Sequence, residues 1–332
     1  MRAYKTLLFL LLTALSSTCV FAQYTDLINS NRPGVSRSAF SVGVNVIQFE
    51  AGPYIINQEH TPLKYDVAGY GFDYALRYGF FLEQLEVSLE GTYQNDTFTD
   101  NRSSIIQESK RSNFKYNTLG FKYLVYDPYK KAGEAKPSLY SWRANRQFNF
   151  KSLIPAVAVY AGANFDTKDN PYTGFGVEGI SPKVMIATQN NFAGGWVLVI
   201  NLVGDRFTTD FPEYQYLVTF TKSISEKLVV FGETQGIKSD FYADNLFRLG
   251  GAYLFGKDFQ LDTALTFNAK DTPSVFSVNF GASYRLDFHV DKKPENNMIK
   301  SLRKQKRQTK DELKKLKKNK KNGTNDNDSD SL

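Results

Sequence analysis

From Ser274 to Phe288 the chain alternates without a break. Phe276, Val278, Phe280, Ala282, Tyr284, Leu286 and Phe288 fall on one side, and Ser277, Asn279, Gly281, Ser283, Arg285 and Asp287 on the other. Successive residues of a strand point to opposite faces, so this stretch reads as a strand between an oily and a polar medium. In a sandwich the oily side is the protein core. Here the same pattern recurs down the chain, and its apolar face is so consistently aromatic that lipid is the better match. A soluble two-sheet sandwich is the competing architecture.

Twelve such ladders are legible. The second is the cleanest: Ala68, Tyr70, Phe72, Tyr74, Leu76, Tyr78 and Phe80 oppose Gly69, Gly71, Asp73, Ala75, Arg77 and Gly79. The third sets Leu85, Val87, Leu89 and Tyr93 against Glu86, Ser88, Glu90, Thr92 and Gln94. An even number of strands, short turns such as 81–84 and longer polar excursions such as 57–64 and 95–113 give the rhythm of a transmembrane barrel. The expected fold is therefore all-β: an antiparallel up-and-down transmembrane barrel of about 12 strands over residues 41–289, with the excursions outside the cell.

The flanks are of different character. Arg2 and Lys5, the apolar run 7–15 and Val20-Phe21-Ala22 read as a cleavable signal over residues 1–22, leading to the bacterial outer membrane. A lipoprotein anchored at Cys19 is the weaker alternative, because Thr18 stands where a small Gly or Ala is wanted. Without Cys19 no cysteine remains, so neither disulfides nor thiol chemistry enter. Residues 23–40 show no alternation and read as a periplasmic lead-in. Residues 126–152 form a long basic and aromatic connection on the short-turn side, with Trp142, Arg143 and Arg146 as candidate partner contacts.

The basic pI of 9.1 belongs to the tail. Residues 291–332 carry 14 Lys and Arg against 7 Asp and Glu, while residues 23–290 carry 25 against 27. The body is thus no nucleic-acid binder. The tail 290–332 reads as a periplasmic arm, basic at first and then Asn/Asp-rich and partly disordered. Lys300, Arg303, Lys304, Arg307, Lys314 and Lys315 are its candidate contacts for periplasmic or outer-membrane partners.

Several stretches resemble a known family. Asn31-Arg32-Pro33-Gly34, Gln48-Phe49-Glu50-Ala51-Gly52, Leu76-Arg77-Tyr78-Gly79-Phe80, Leu119-Gly120-Phe121-Lys122-Tyr123, Leu249-Gly250-Gly251-Ala252-Tyr253-Leu254 and Phe259-Gln260-Leu261-Asp262 carry the likeness. They resemble the outer-membrane proteins of the MetA-pathway phenol-degradation and transporter type, with a composition of Bacteroidetes character. The resemblance implies a barrel with a transport role and supplies no catalytic residues. Asn31 stands where that family more often has Asp, and the 44 residues beyond Phe288 have no counterpart in it. Gly281, Tyr284, Leu286 and Phe288 are also spaced like the terminal signal that barrel-assembly machinery recognises.

Chemistry in the ordinary sense is missing. His60 and His289 have no companion ligands at metal spacing, and no phosphate-cradling loop stands out, so neither enzyme activity nor a cofactor or metal is expected. What remains is the polar parity. Turned inward, it places Glu50, Asp73, Glu86, Glu90, Glu233, Asp262 and Asp287 against Arg77, Lys122, Arg248 and Arg285. Charges of both signs in a narrow lumen pair off, Arg77 with Glu86 across the short turn, and any selectivity left over favours cations. Two functions follow as expectations. One is a passive channel or transporter for small solutes, hydrophobic ones included. The other is a non-conducting accessory barrel of an assembly or secretion complex.

Overall fold

The computed structural model describes residues 27–129 and 153–289. Twelve strands lie within them: β1 (Val46–His60), β2 (Tyr65–Gly79), β3 (Leu85–Asp100), β4 (Gln107–Tyr126), β5 (Ala156–Asp166), β6 (Gly179–Phe192), β7 (Trp196–Asp205), β8 (Glu213–Ser223), β9 (Leu228–Lys238), β10 (Ala243–Phe255), β11 (Phe259–Asn268) and β12 (Ser274–Asp287). Each pairs antiparallel with its neighbours in sequence, and β12 closes on β1 through Val46↔Asp287 to Glu59↔Ser274. Closure leaves no open sheet edge, the condition for strands to sit in hydrocarbon.

The outward surface is apolar, while the inward one carries the buried charges together with an apolar cluster around Leu124, Tyr160, Met185 and Leu217. Phe49, Leu76, Leu89 and Leu119 stand next to one another across β1 to β4, all outward and exposed. The alternate positions Glu50, Arg77, Glu86 and Lys122 are buried. Such an exterior is stable against lipid and not against water. Its rim beside the termini is marked by outward rings: Trp196 stacks on Phe220 at 4.7 Å, and Tyr253, Phe255, Phe259 and Tyr284 follow one another at 4.7, 5.9 and 6.4 Å. Amphipathic and aromatic rings settle at the headgroup level. The chain is thus a twelve-stranded transmembrane barrel.

Two features differ from the sequence expectation. The excursion 95–113 is largely strand: β3 runs to Asp100, β4 starts at Gln107, and only 101–106 turn the corner. Beyond the lipid the outward side needs no apolar residue, so Asn95, Thr97 and Thr99 continue the ladder without its hydrophobic mark. The excursion 57–64 likewise shrinks to the turn between His60 and Tyr65.

The second difference concerns the stretch read as a lead-in outside the barrel. Residues 28–44 enter the lumen, follow its inner wall and return to the same rim. Ile28 N–H donates to Lys257 O in the β10–β11 turn (2.9 Å), and Val44 N–H donates to Glu83 in the β2–β3 turn (3.3 Å). A coil has no period for a sequence pattern to reveal. It is stable here because the wall supplies partners for its backbone. The signal 1–22, Trp142, Arg143, Arg146 and the tail with its six candidate contacts lie outside the described residues.

Candidate functional site

The lumen is organised around the inserted segment. Its first anchor is a buried charge network where β1, β2, β3 and β4 meet. Arg77, 1% exposed, donates to both oxygens of Glu86 (2.9 and 3.0 Å) and to Glu50 Oε1 (3.0 Å). Lys122 Nζ lies 3.3 Å from Glu86 and donates to the carbonyls of Ser38 (3.0 Å) and Phe40 (2.9 Å). Arg77 also donates to Asn29 O (2.7 Å), and Val42 N–H donates to Glu86 (3.0 Å). The wall charges therefore neutralise one another and spend their remaining hydrogen bonds on the segment. Two-pronged pairing of this kind is what makes buried charge tolerable.

The second anchor is Glu233 on β9. It accepts from Val35 N–H (3.1 and 3.2 Å to its two oxygens), Ser36 N–H (3.0 Å), Thr219 Oγ1 (2.7 Å) and Arg248 (3.1 Å). Gly34 permits the approach, since a Cβ there would lie 2.6 Å from Glu233 Oε2. Next along, Asn201 holds Arg37 like a strand neighbour: Arg37 N–H donates to Oδ1 (2.6 Å) and Nδ2 donates to Arg37 O (2.9 Å). The Arg37 guanidinium pairs with Glu90 and lies 4.6 Å over the ring of Tyr160. Ser38 Oγ donates to Gln189 (2.7 Å) on β6.

The third anchor is Arg32, over the seam between β12 and β1. Its Nε donates to Asp262 (3.3 Å), its Nη2 to Phe280 O (3.1 Å), and its Nη1 lies 3.8 Å from Asp73. Arg285 and Asp287 pair with each other at 3.0 Å near the end of β12. Of the residues expected to line the lumen, Glu50, Arg77, Glu86 and Lys122 thus share one cluster, Glu233 and Arg248 a second, and Asp73 with Asp262 a third. Glu90 meets Arg37, and Arg285 and Asp287 stay together.

Sequence reasoning passed over Arg32 and Arg37. The available signal was two arginines set among Ser30, Pro33, Gly34, Ser36 and Ser38, small residues that fit a confined lumen. It also passed over the cap at the loop end. There Tyr172 donates from its hydroxyl to Gln94 O and Arg111 O (both 3.3 Å). Arg111 pairs with Asp96 (2.7 Å) and lies 5.0 Å over the ring of Phe98. Tyr172 lies in the β5–β6 loop outside the strands, and burial pushes its phenol up. Asp96 and Arg111 fall within the extended parts of β3 and β4 that read as loop.

Between the segment and the inner wall of β6 to β11 a cavity of about 210 Å³ remains. Asn29, Asn31 and Gln260 give it polar groups, while Val197, Val199, Val229 and Phe231 form an apolar patch. The wall also carries buried apolar residues elsewhere, among them Val67 and Val275 at the loop end and the cluster of Leu124, Tyr160, Met185 and Leu217.

The remaining expected sites have structural partners. Gly281 faces inward beneath Arg32, Tyr284 and Phe288 are exposed and Leu286 half-buried. His60 accepts from Leu63 N–H (3.2 Å) and closes the β1–β2 turn; His289 Nδ1 lies 3.1 Å from Val44 O. Among the described residues no three His, Cys, Asp or Glu side chains gather as a metal would require.

A sequence model described as "Putative MetA-pathway of phenol degradation" matches residues 30–286. No curated protein matches the chain in sequence. Among solved structures the chain is similar to an outer-membrane channel from Pseudomonas putida F1, at 10% identity over 78% of this chain and 100% of that one, with a TM-score of 0.49. It is also similar to the toluene transporter TodX of Pseudomonas putida (8% identity, 82% and 100% covered, TM-score 0.43). A third is the translocator domain of the autotransporter NalP from Neisseria meningitidis (10% identity, 74% and 89% covered, TM-score 0.43). At these identities and scores none of the three bears on what this lumen carries.

Proposed function

The chain belongs to the MetA-pathway phenol-degradation family, and on that footing we propose that it is a passive outer-membrane channel for small solutes, hydrophobic ones included. The observation that carries the proposal is the cavity of about 210 Å³, with an apolar patch on its wall and polar groups both from the inserted segment and from Gln189, Thr219 and Gln260. Sites for small molecules commonly combine an apolar lining with a few fixed polar groups. A lumen meant only as scaffold would be filled, and a twelve-stranded barrel is wide enough to leave space. The segment 28–44 is the constriction, so passage requires it to shift. No step of this function needs a reacting group, and we read the protein as non-catalytic.

Purified protein in planar bilayers tests this. Discrete conductance steps are expected, increasing in frequency when the segment is loosened by Arg37→Ala. Silence from both proteins, with an open porin conducting in the same membrane, overturns the proposal.

A further inference from the structure

Four inward positions at one level of the wall form a row across β2, β1, β12 and β11. Gly52 pairs with Asp73, and Gly281 with Asp262. The β1–β12 register, Ala51↔Ala282 before and Tyr54↔Asn279 after, sets the two glycines side by side. The result is a floor of bare backbone with a carboxylate at each end. The guanidinium of Arg32 lies on that floor, where a Cβ at either glycine would run into it. Phe280 O completes the site as an acceptor at 3.1 Å. By the same register Pro53 stands opposite Phe280. Proline has no N–H to give the ladder, which leaves this carbonyl for the guanidinium.

Arg32 fits the floor better than it fits the carboxylates. It reaches one oxygen of Asp262 at 3.3 Å and Asp73 only at 3.8 Å. Oδ2 of Asp262 is buried and has no hydrogen bond of its own among the described residues. A guanidinium offers two parallel N–H groups to a carboxylate, and the favourable geometry uses both oxygens. Arg32 is denied that geometry by its own backbone. Ser30 Oγ is bonded to Ser283 Oγ (2.8 Å), Asn31 N–H donates to Glu50 (3.3 Å) and Gln260 donates to Arg32 O (3.1 Å). Asp73 and Asp262 also sit three strand spacings apart, roughly 14 Å along the wall, so one guanidinium cannot pair closely with both.

We infer that this slot is a guanidinium-binding site of the lumen, with Arg32 as its built-in occupant and soluble guanidinium compounds able to take its place once that side chain is removed. An untethered guanidinium takes both oxygens of Asp262 and keeps Phe280 O, with its plane on Gly52 and Gly281. An alkylammonium has the charge without the plane or the fork. The inference rests on the channel reading only for the ligand's way in; binding to the slot does not require conduction.

The test uses full-length Arg32→Ala protein folded in detergent, with folding checked by its heat-dependent gel mobility. Low-millimolar methylguanidinium raises its melting temperature by a few degrees, as a ligand binding only the folded state must. Methylammonium and urea at the same concentration do not, and the wild type, whose slot is filled, does not respond. Adding Gly281→Ala abolishes the shift. If Arg32→Ala does not fold, Arg32→Gln carries the same measurement with a neutral side chain. No shift, an equal shift with methylammonium, or a shift that survives Gly281→Ala overturns the site. Bilayer recordings separate this from the channel reading. A melting shift with silent bilayers sinks the channel and leaves the site, whereas conductance without the shift sinks the site alone.

Discussion

Arg77 shows how a charge is kept in the wall of this barrel. It is 1% exposed and has carboxylates on two strands, a bidentate pair with Glu86 and a single bond to Glu50. Removing the cation leaves Glu50 without it and Glu86 dependent on Lys122 at 3.3 Å, and breaking a buried pair in this way costs about 3–5 kcal/mol. We expect Arg77→Ala to lower the unfolding free energy in micelles, read from urea titration, by that amount. Arg77→Met combined with Glu50→Gln loses less than the single change, because Glu86 keeps Lys122 and no buried carboxylate is left without a cation. A double variant as damaged as the single one contradicts this account. The Arg77–Glu86 contact was legible in the sequence, since parity and a four-residue turn bring the two together. Its connection to Asn29 O was not, because nothing in the pattern of 27–44 says which way that coil runs.

At the scale of elements the inserted segment differs from the strands in how it is held. Within 28–44, its attachment is made of hydrogen bonds and ion pairs to many strands and of apolar packing of Ala39 and Phe40 against the cluster of Leu124, Tyr160 and Leu217, with no ladder of its own. Such contacts can be lost a few at a time. Ser30 and Ser283 offer a way to fix it: their Oγ atoms are 2.8 Å apart, and Cys19 is the sequence's one cysteine. Ser30→Cys with Ser283→Cys in a Cys19→Ser background is expected to form a disulfide that ties the segment to β12. Oxidised protein then conducts less than the same protein after reduction, while wild type is indifferent to reductant. Equal conductance in both states would mean that solutes pass without the segment moving at that point. The strands themselves were readable because one side of each had to be apolar. The same criterion failed where the chain leaves lipid, as in 95–113, and where it never touches lipid, as in 28–44. Hydrophobic alternation reports the solvent outside a strand. It is blind to a coil whose partners are the polar side chains of other strands.

For the whole molecule the deciding quantity is the height of the lipid layer on the wall. β3 and β4 contain 16 and 20 residues, against the ~9–11 that cross a bilayer, so this side of the barrel projects beyond it. The outward residues of β3 change character accordingly, from Leu85, Val87 and Leu89 to Asn95, Thr97 and Thr99. Leu89 is four residues above the start of β3. At about 3.4 Å per residue and a tilt near 45°, that is roughly 10 Å above the rim and close to the middle of an apolar band ~25 Å tall. Asn95 is six residues higher, at the band's upper edge. Leu89→Arg should therefore destabilise the protein by about 2–4 kcal/mol when refolded in lipid vesicles, and Asn95→Arg by about 0–1 kcal/mol. The same two variants in short-chain detergent should differ much less, because a micelle adapts its thickness to the protein. Equal penalties in vesicles would place the projecting wall within the bilayer. The 95–113 hairpin would then be part of the membrane-spanning barrel, not an extension of the lumen above it.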